Sequence, residues 1–332
     1  MTKPKLTILT DPLPIGRDSL PEASRRIARG MKYLLKKRDF ASHSRFRGHF
    51  AVTRSLVEGL EKIGFDFNYN PNQLSELADT VVVLAGVRTL RQVIRLKQQG
   101  KIRRLFAGPN IVHFSSDFDS ILASPEVDAA ITPCYWVMKS YIQDCPTLRG
   151  RIFSWAAGVD PNYWMPDLKL KRHHILIFDK RTIEADPRRV EPYVQYLQDL
   201  GWSVEILTRV NGVIGYSPSQ FRELLQRARL LIGFTLGSES QGIAWAEAWA
   251  ADVPTLLLRN NQNVCHGRLL EVSTAPYLCD QNGLFFDDFE HFKTQFSYWQ
   301  AHRLQFAPRA WTLVNMSDEA CARQLYDKVM SC

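Results

Sequence analysis

Short apolar runs recur along this chain. Each is bounded by polar or turn residues and followed by a stretch whose apolar positions repeat every three or four residues. "KLTILTD" (5–11) opens the series as a short buried strand. In "GHFAVTRSLVEGLEKIG" (48–64), Phe50, Thr53, Leu56, Val57 and Leu60 fall on one helical face, and Gly64 ends the helix. "FDFNYN", "TVVVLAG", "RRLFAGP" and "DAAITPC" read as strands, and "RTLRQVIRLKQQG", closed by Gly100, is the clearest helix among them. The alternation restarts after residue 170. "HHILIFDK", "SVEILTR", "RLLIGFT" and "PTLLL" are strands there, and "PRRVEPYVQYLQDLG" and the Ser-capped "SPSQFRELLQRA" are helices. Strand and helix alternating at this spacing predict an α/β chain with parallel sheets covered by helices on both faces.

Between the halves lies "SWAAGVDPNYWMPD" (154–167), punctuated by Gly and Pro. The 332 residues, 45% of them hydrophobic, suffice for two cores. The expected organisation is therefore two Rossmann-like domains. Residues 1–155 form the first and carry a basic insertion, 156–307 form the second, and 308–332 make a C-terminal helix returning to the first. A cleft between the two is where a ligand is expected.

Composition narrows the partners. A formal charge of +8 points to an anion: nucleic acid, an acidic membrane surface or a phosphorylated small molecule. No RNP motif or zinc-finger spacing supports nucleic acid. The six cysteines include no CxxC pair and the eight histidines no HExxH, so reduced thiols and no metal site are expected. No apolar run reaches the length of a bilayer span, and "MTKPKLTILTD" lacks a signal-peptide core, so a cytoplasmic location is expected. "SRRIARGMKYLLKKRD" (24–39) holds seven Lys or Arg against one Asp, with Ile27, Met31, Leu34 and Leu35 at helical spacing. Such a helix suits peripheral contact with an anionic membrane or a phosphorylated lipid-linked acceptor, or is a charged helix packed on its own domain.

One stretch stands out chemically. "SESQGIAWAEAWAADVPTLL" (238–257) places Glu239 and Glu247 in an otherwise core-like segment. If "IGFT" is a strand, Glu239 lies in the loop at its carboxyl end, and a helix is expected from about Ser240. The amides of Ser240, Gln241 and Gly242 would then offer a phosphate site. Two helical turns separate the carboxylates, so they would grip two ends of one elongated ligand. The plainer alternative is a dipole-favoured charge at Glu239 and a solvated or structural Glu247. Flanking Ala and Trp residues argue against solvent at Glu247.

"ESQGIAWAEAWAADVPTLL" resembles the E-x7-E motif of retaining GT-B glycosyltransferases of the family-4 type. In the right order, "AAGVDPNYWMPD" resembles their interdomain connector, and "SRFRGHFAVTRSLVEGLEKIGFDF" resembles their N-terminal Gly-rich loop and helix. "APYLCDQNGLFFDD" resembles the segment before their final helices. The resemblance implies that Glu247 binds the ribose of a nucleotide-sugar and that Glu239 contacts the transferred sugar. Lys180 and Arg181, with Arg188 or Arg189 in reserve, correspond to the diphosphate-binding residues. Tyr216 falls where the base is held, Gly48 in the N-terminal loop, and His113 where a histidine approaches the sugar, although a hydrogen-bonded loop histidine is the plainer reading. The chain departs from the pattern where Gln241 replaces an aromatic residue, "AADVPT" replaces the usual Cys-Gly-Thr-Pro, and "RNNQNVCHG" lacks a Gly-Gly pair.

The resemblance implies a retaining, metal-independent transferase that moves a sugar from a nucleotide-diphosphate sugar to a saccharide, lipid-linked or other acceptor. No cofactor is expected. Two other readings stand beside it: a GT-B sugar-nucleotide epimerase or phosphorylase, and a non-enzymatic polyanion-binding protein.

Overall fold

The computed structural model describes residues 4–10, 48–180, 189–210, 213–214, 217–235 and 237–331. The chain divides into two compact units, Met1–Gly158 with Asp318–Cys332, and Val159–Ser317.

The first unit is built on six parallel strands: β1 (Leu6–Thr10), β2 (Phe67–Tyr69), β3 (Thr80–Ala85), β4 (Arg104–Asn110), β5 (Ala129–Thr132) and β6 (Ile152–Ser154). Their spatial order is β2-β1-β3-β4-β5-β6. Among the described residues its helices include α1 (Gly48–Lys62), α2 (Val87–Gln98) and α3 (Tyr135–Asp144). β1 is buried at every position and β3 at all but the last, so neither alternates. That pattern belongs to a sheet covered on both faces, which is why these strands read as continuous apolar runs.

The second unit begins with β7 (His174–Asp179), α4 (Glu191–Asp199), β8 (Ser203–Val210) and β9 (Val213–Ile214). α5 (Pro218–Arg227), β10 (Ala228–Phe234), α6 (Ile243–Ala250) and β11 (Thr255–Leu258) follow. The hairpin β12 (Gln262–Cys265) and β13 (Arg268–Glu271) comes next, then β14 (Gly283–Phe286), α7 (Phe289–Ala301) and α8 (Pro308–Asn315). The sheet runs β14-β11-β10-β7-β8-β9, parallel except for the short β8–β9 pair. α5 starts on a capping box in which the Ser217 hydroxyl accepts from the Gln220 amide and the Gln220 side chain accepts from the Ser217 amide. One face of the sheet packs Ile175, Ile177, Leu230 and Ile232 against Phe292, Phe296 and Trp299. The other face presents Phe178, which packs on Phe221 and Trp245.

Strand order reverses between β7 and β10: β8 is added on one side of β7, and β10, β11 and β14 on the other. Crossover connections leave the carboxyl ends of such a pair open, and ligands of doubly wound sheets bind there.

Two expectations are corrected. The return to the first unit begins at Asp318, not at Pro308. α8 stays with the second unit because Trp311 packs edge-on against Trp249, with centroids 5.5 Å apart, and Arg309 donates to the Pro161 carbonyl. The buried face of α1 is also rotated from the one expected, for Phe50 is 67% exposed while Val52, Ser55, Leu56 and Leu60 are buried. The cause is α9 (Asp318–Ser331), which packs along α1. Arg54 donates to both Asp318 carboxylate oxygens, at 2.6 and 3.1 Å. A Cβ on Gly59 would lie 2.3 Å from the Asp318 carbonyl oxygen, so only glycine admits this approach. Burial pushes the Asp318 carboxyl above its usual pKa, against the opposing pull of Arg54.

Candidate functional site

Two of the expected residues meet at the open edge between β7 and β10. Lys180 directly follows β7, and its amide donates to Phe234 O at the end of β10, at 2.8 Å, which holds the two strand ends together. The Lys180 ammonium donates to the Glu239 carboxylate. It also stands 5.0 Å from the Trp245 ring centroid and 6.0 Å from that of Phe178. A cation over aromatic faces is attracted by their quadrupoles, and with most of the pair withdrawn from water these contacts fix its position. The pair is 13% and 20% exposed, so each end still meets solvent.

The loop carrying Glu239 is held from the segment that follows β11. The Glu239 amide donates to Ser273 O at 2.9 Å, and Asn260 Nδ2 donates to Gly237 O at 2.6 Å. Trp245 is seated by two glycines. A Cβ on Gly233 of β10 would come within 2.6 Å of its ring, and one on Gly242 within 2.7 Å. Its indole nitrogen donates to Thr274 O at 2.9 Å.

α6 begins at Ile243, with Gly242 as its N-cap in the left-handed region (φ 69°, ψ 42°). The expected start at Ser240 is therefore corrected: Ser240, exposed, and Gln241, buried, lie in the loop ahead of the helix. Their amides do not belong to its first turn. The left-handed Gly242 supplies the reason, because it turns the chain into the helix only at this position.

Glu247 is 7% exposed, so it is not a solvated face residue. Its carboxylate acts on Tyr163 of the connector. Burial raises the Tyr163 phenol above its usual pKa, the Arg222 guanidinium pulls it down, and the Glu247 charge adds to the rise. Arg222 of α5 lies over the Tyr163 ring at 5.3 Å, and its buried Nε has no hydrogen-bond partner among the described residues. The Tyr163–Arg222 pair, whose phenol feels the Glu247 charge, is one that the sequence did not single out. Nothing in their spacing links a connector tyrosine to a helix arginine.

No family model matches the chain, and no curated protein matches it. Solved structures do. Anabaena Alr3699/HepE in complex with UDP is similar with a TM-score of 0.51 at 11% identity, covering 99% of this chain and 100% of that one. A glycosyltransferase from Rickettsia africae ESF-5 is similar with a TM-score of 0.55 at 10% identity, covering 98% of each chain. The chain has the GT-B fold.

The remaining expected positions are distributed over this GT-B chain as follows. His113 follows β4 in the first unit and is exposed, with its amide donating to Asp117 Oδ2 at 3.1 Å. Gly48 opens α1. Arg189 is exposed just ahead of α4. Arg181, Arg188, Tyr216 and the basic stretch 24–39 lie outside the described residues. Among the described residues, no helix of this GT-B chain is long and apolar enough to cross a membrane.

Proposed function

We propose that the chain is a glycosyltransferase that moves a sugar from a nucleotide-diphosphate sugar to a saccharide, lipid-linked or other hydroxyl acceptor. It does so with retention at the anomeric carbon and without a metal ion or other cofactor. The observation that carries this reading is the Lys180–Glu239 pair at the β7/β10 edge, followed eight positions later by the buried Glu247. A nucleotide-sugar needs a cation where the diphosphate leaves and acceptors for hydroxyl groups at its two ends, and these residues supply them.

In the reaction the bond between the anomeric carbon and the β-phosphate oxygen breaks, and charge grows on that oxygen. Lys180 stands ready to shift from Glu239 toward the diphosphate and to stabilise that charge. The acceptor hydroxyl attacks from the face the diphosphate leaves, and its proton passes to the leaving phosphate oxygen. No protein base is then required. Glu239, released from its full pairing with Lys180, accepts from hydroxyls of the transferred sugar. Glu247 accepts from the ribose, with Tyr163 and Arg222 beside it.

Calorimetry with UDP, the nucleotide held by the Anabaena structure, is the first test, with GDP and ADP in parallel. Glu247→Ala should weaken binding of the preferred nucleotide about tenfold or more, since hydrogen bonds to a charged acceptor contribute roughly 1.5–3 kcal/mol. Equal affinities in parent and variant for all three would overturn the ribose assignment. Turnover of the donor without any acceptor would overturn transfer in favour of another sugar-nucleotide reaction.

A further inference from the structure

A second charged site lies at the opposite edge of the second sheet. An open cavity of about 480 Å³ sits against the amino ends of β7, β10 and β11. Lys171 and Arg172 border it just ahead of β7, Arg229 at the start of β10, and Arg303 just after α7. Among the described residues, Asp252 is the one acidic residue lining it. β7 alone is six residues long, so at about 3.3 Å per residue its two ends are roughly 20 Å apart. This cavity is therefore separate from the Lys180–Glu239 edge.

Four cations converge on this cavity. Among the described residues, none of the four cavity cations has a carboxylate in ion-pair contact. The partners of Arg172 are main-chain carbonyls: Nη1 donates to Asp252 O at 2.5 Å and Nη2 to Ala251 O at 2.6 Å. Arg229 Nε donates to Arg172 O at 2.8 Å, and the guanidinium lies 6.0 Å from the Trp202 ring centroid. These contacts fix both guanidiniums in place through neutral carbonyl oxygens, with Asp252 as the nearby acidic group acting on Arg172. Arg172 is desolvated enough for burial to lower its pKa, which Asp252 counters.

The floor is apolar. Trp299 and Phe306 line the cavity, and Leu304 on its rim is 100% exposed. Guanidinium groups recognise phosphate and carboxylate oxygens through paired N–H donors, and a lysine adds a point charge. A cavity of this size beside aromatic side chains accommodates a small organic group attached to such an anion.

We propose that this cavity binds a phosphomonoester or phosphodiester with an apolar portion, the phosphate held by Lys171, Arg172, Arg229 and Arg303 and the apolar part by Trp299 and Phe306. A soluble phosphoester and a lipid headgroup share this chemistry. In the lipid case, Leu304 enters the interface beside the headgroup.

Phenyl phosphate is the probe, titrated by calorimetry into the full chain at fixed ionic strength, with inorganic phosphate and phenol as its separate halves. It should saturate a site more tightly than either half does. Lys171→Ser/Arg303→Ser removes two exposed cations and should weaken that event about tenfold or more while leaving the melting temperature in place. Lys180→Met should leave the event intact. Retention of the event in the double variant, its loss in Lys180→Met, or no saturation by the parent would each overturn the proposal.

Sedimentation with phosphatidylglycerol vesicles, against phosphatidylcholine, separates the sources. Retention that the double variant and Leu304→Ser both lose assigns the site to a lipid headgroup. Phenyl phosphate binding with no such retention assigns it to a soluble phosphoester.

Discussion

The Lys180 ammonium and the Glu239 carboxylate, 59 residues apart in sequence, meet across the edge where the strand order of the second sheet reverses. The contact joins the end of one strand to the loop after its neighbour. It also contributes to the stability of that edge. Lys180→Met leaves a mostly covered carboxylate without its cation, and Glu239→Gln leaves the ammonium without its anion. Each single substitution should destabilise by about 1–3 kcal/mol, and the double variant by less than the sum. Strictly additive losses in denaturant titrations would mean that the pair contributes nothing beyond its separate contacts.

The two glutamates should respond differently. If Glu239 holds the transferred sugar as proposed, Glu239→Gln should leave affinity for free nucleotide diphosphate nearly unchanged while lowering the transfer rate, because such a contact strengthens as charge develops. Glu247→Ala should lose nucleotide affinity first. Calorimetry with the free nucleotide, set beside steady-state rates with the intact donor, decides the matter. Normal transfer by Glu239→Gln, or equal nucleotide losses in both variants, would rule out a two-ended grip.

Gly242→Ala should damage the site through backbone and packing together. A left-handed non-glycine residue costs roughly 1–2 kcal/mol, and the new Cβ would lie 2.7 Å from Trp245 Cδ1. Gly201 (φ 82°) has nothing within 4 Å of its virtual Cβ, so Gly201→Ala incurs only the backbone cost. The melting temperature should fall further in Gly242→Ala, at roughly 2–4 °C per kcal/mol. Its tryptophan fluorescence should also shift. Equal melting temperatures for the two variants would mean that Trp245 yields to the new methyl without loss.

His174 should make stability fall with pH. It is buried at the start of β7, and burial lowers its pKa from the usual 6.5, with Glu205 opposing. As pH drops through about 6.5, the unfolded imidazole takes up a proton that the native one resists, so the unfolded state is favoured. Denaturant titrations between pH 8 and 5 should show a steeper loss for the parent than for His174→Gln, within and below that window. Parallel curves would show that His174 does not carry this dependence.

Much of the fold was legible because its signals are local. A parallel strand covered on both faces must be apolar at nearly every position, so β1, β3, β7 and β10 announced themselves one by one. Ser217 and Gln220 formed the capping box that "SPSQ" predicts. The burial of Glu247 was readable from the Ala and Trp residues around it. The orientation of α1 was not legible, because its partner α9 comes from the far end of the chain and brings Asp318 onto Arg54. The start of α6 was missed because one left-handed glycine, not a propensity, decides where the helix begins.

The sequence by itself determined the apolar strands of both sheets and the capped helix after Ser217, since burial periodicity and capping are written in neighbouring positions. Only the tertiary structure decided which ends meet. In a parallel sheet that depends on the crossover that seats β10 beside β7, and no local pattern encodes it. Lys180 and Glu239 become partners through that crossover, and Arg222 comes over the Tyr163 ring through the packing of a connector on a helix.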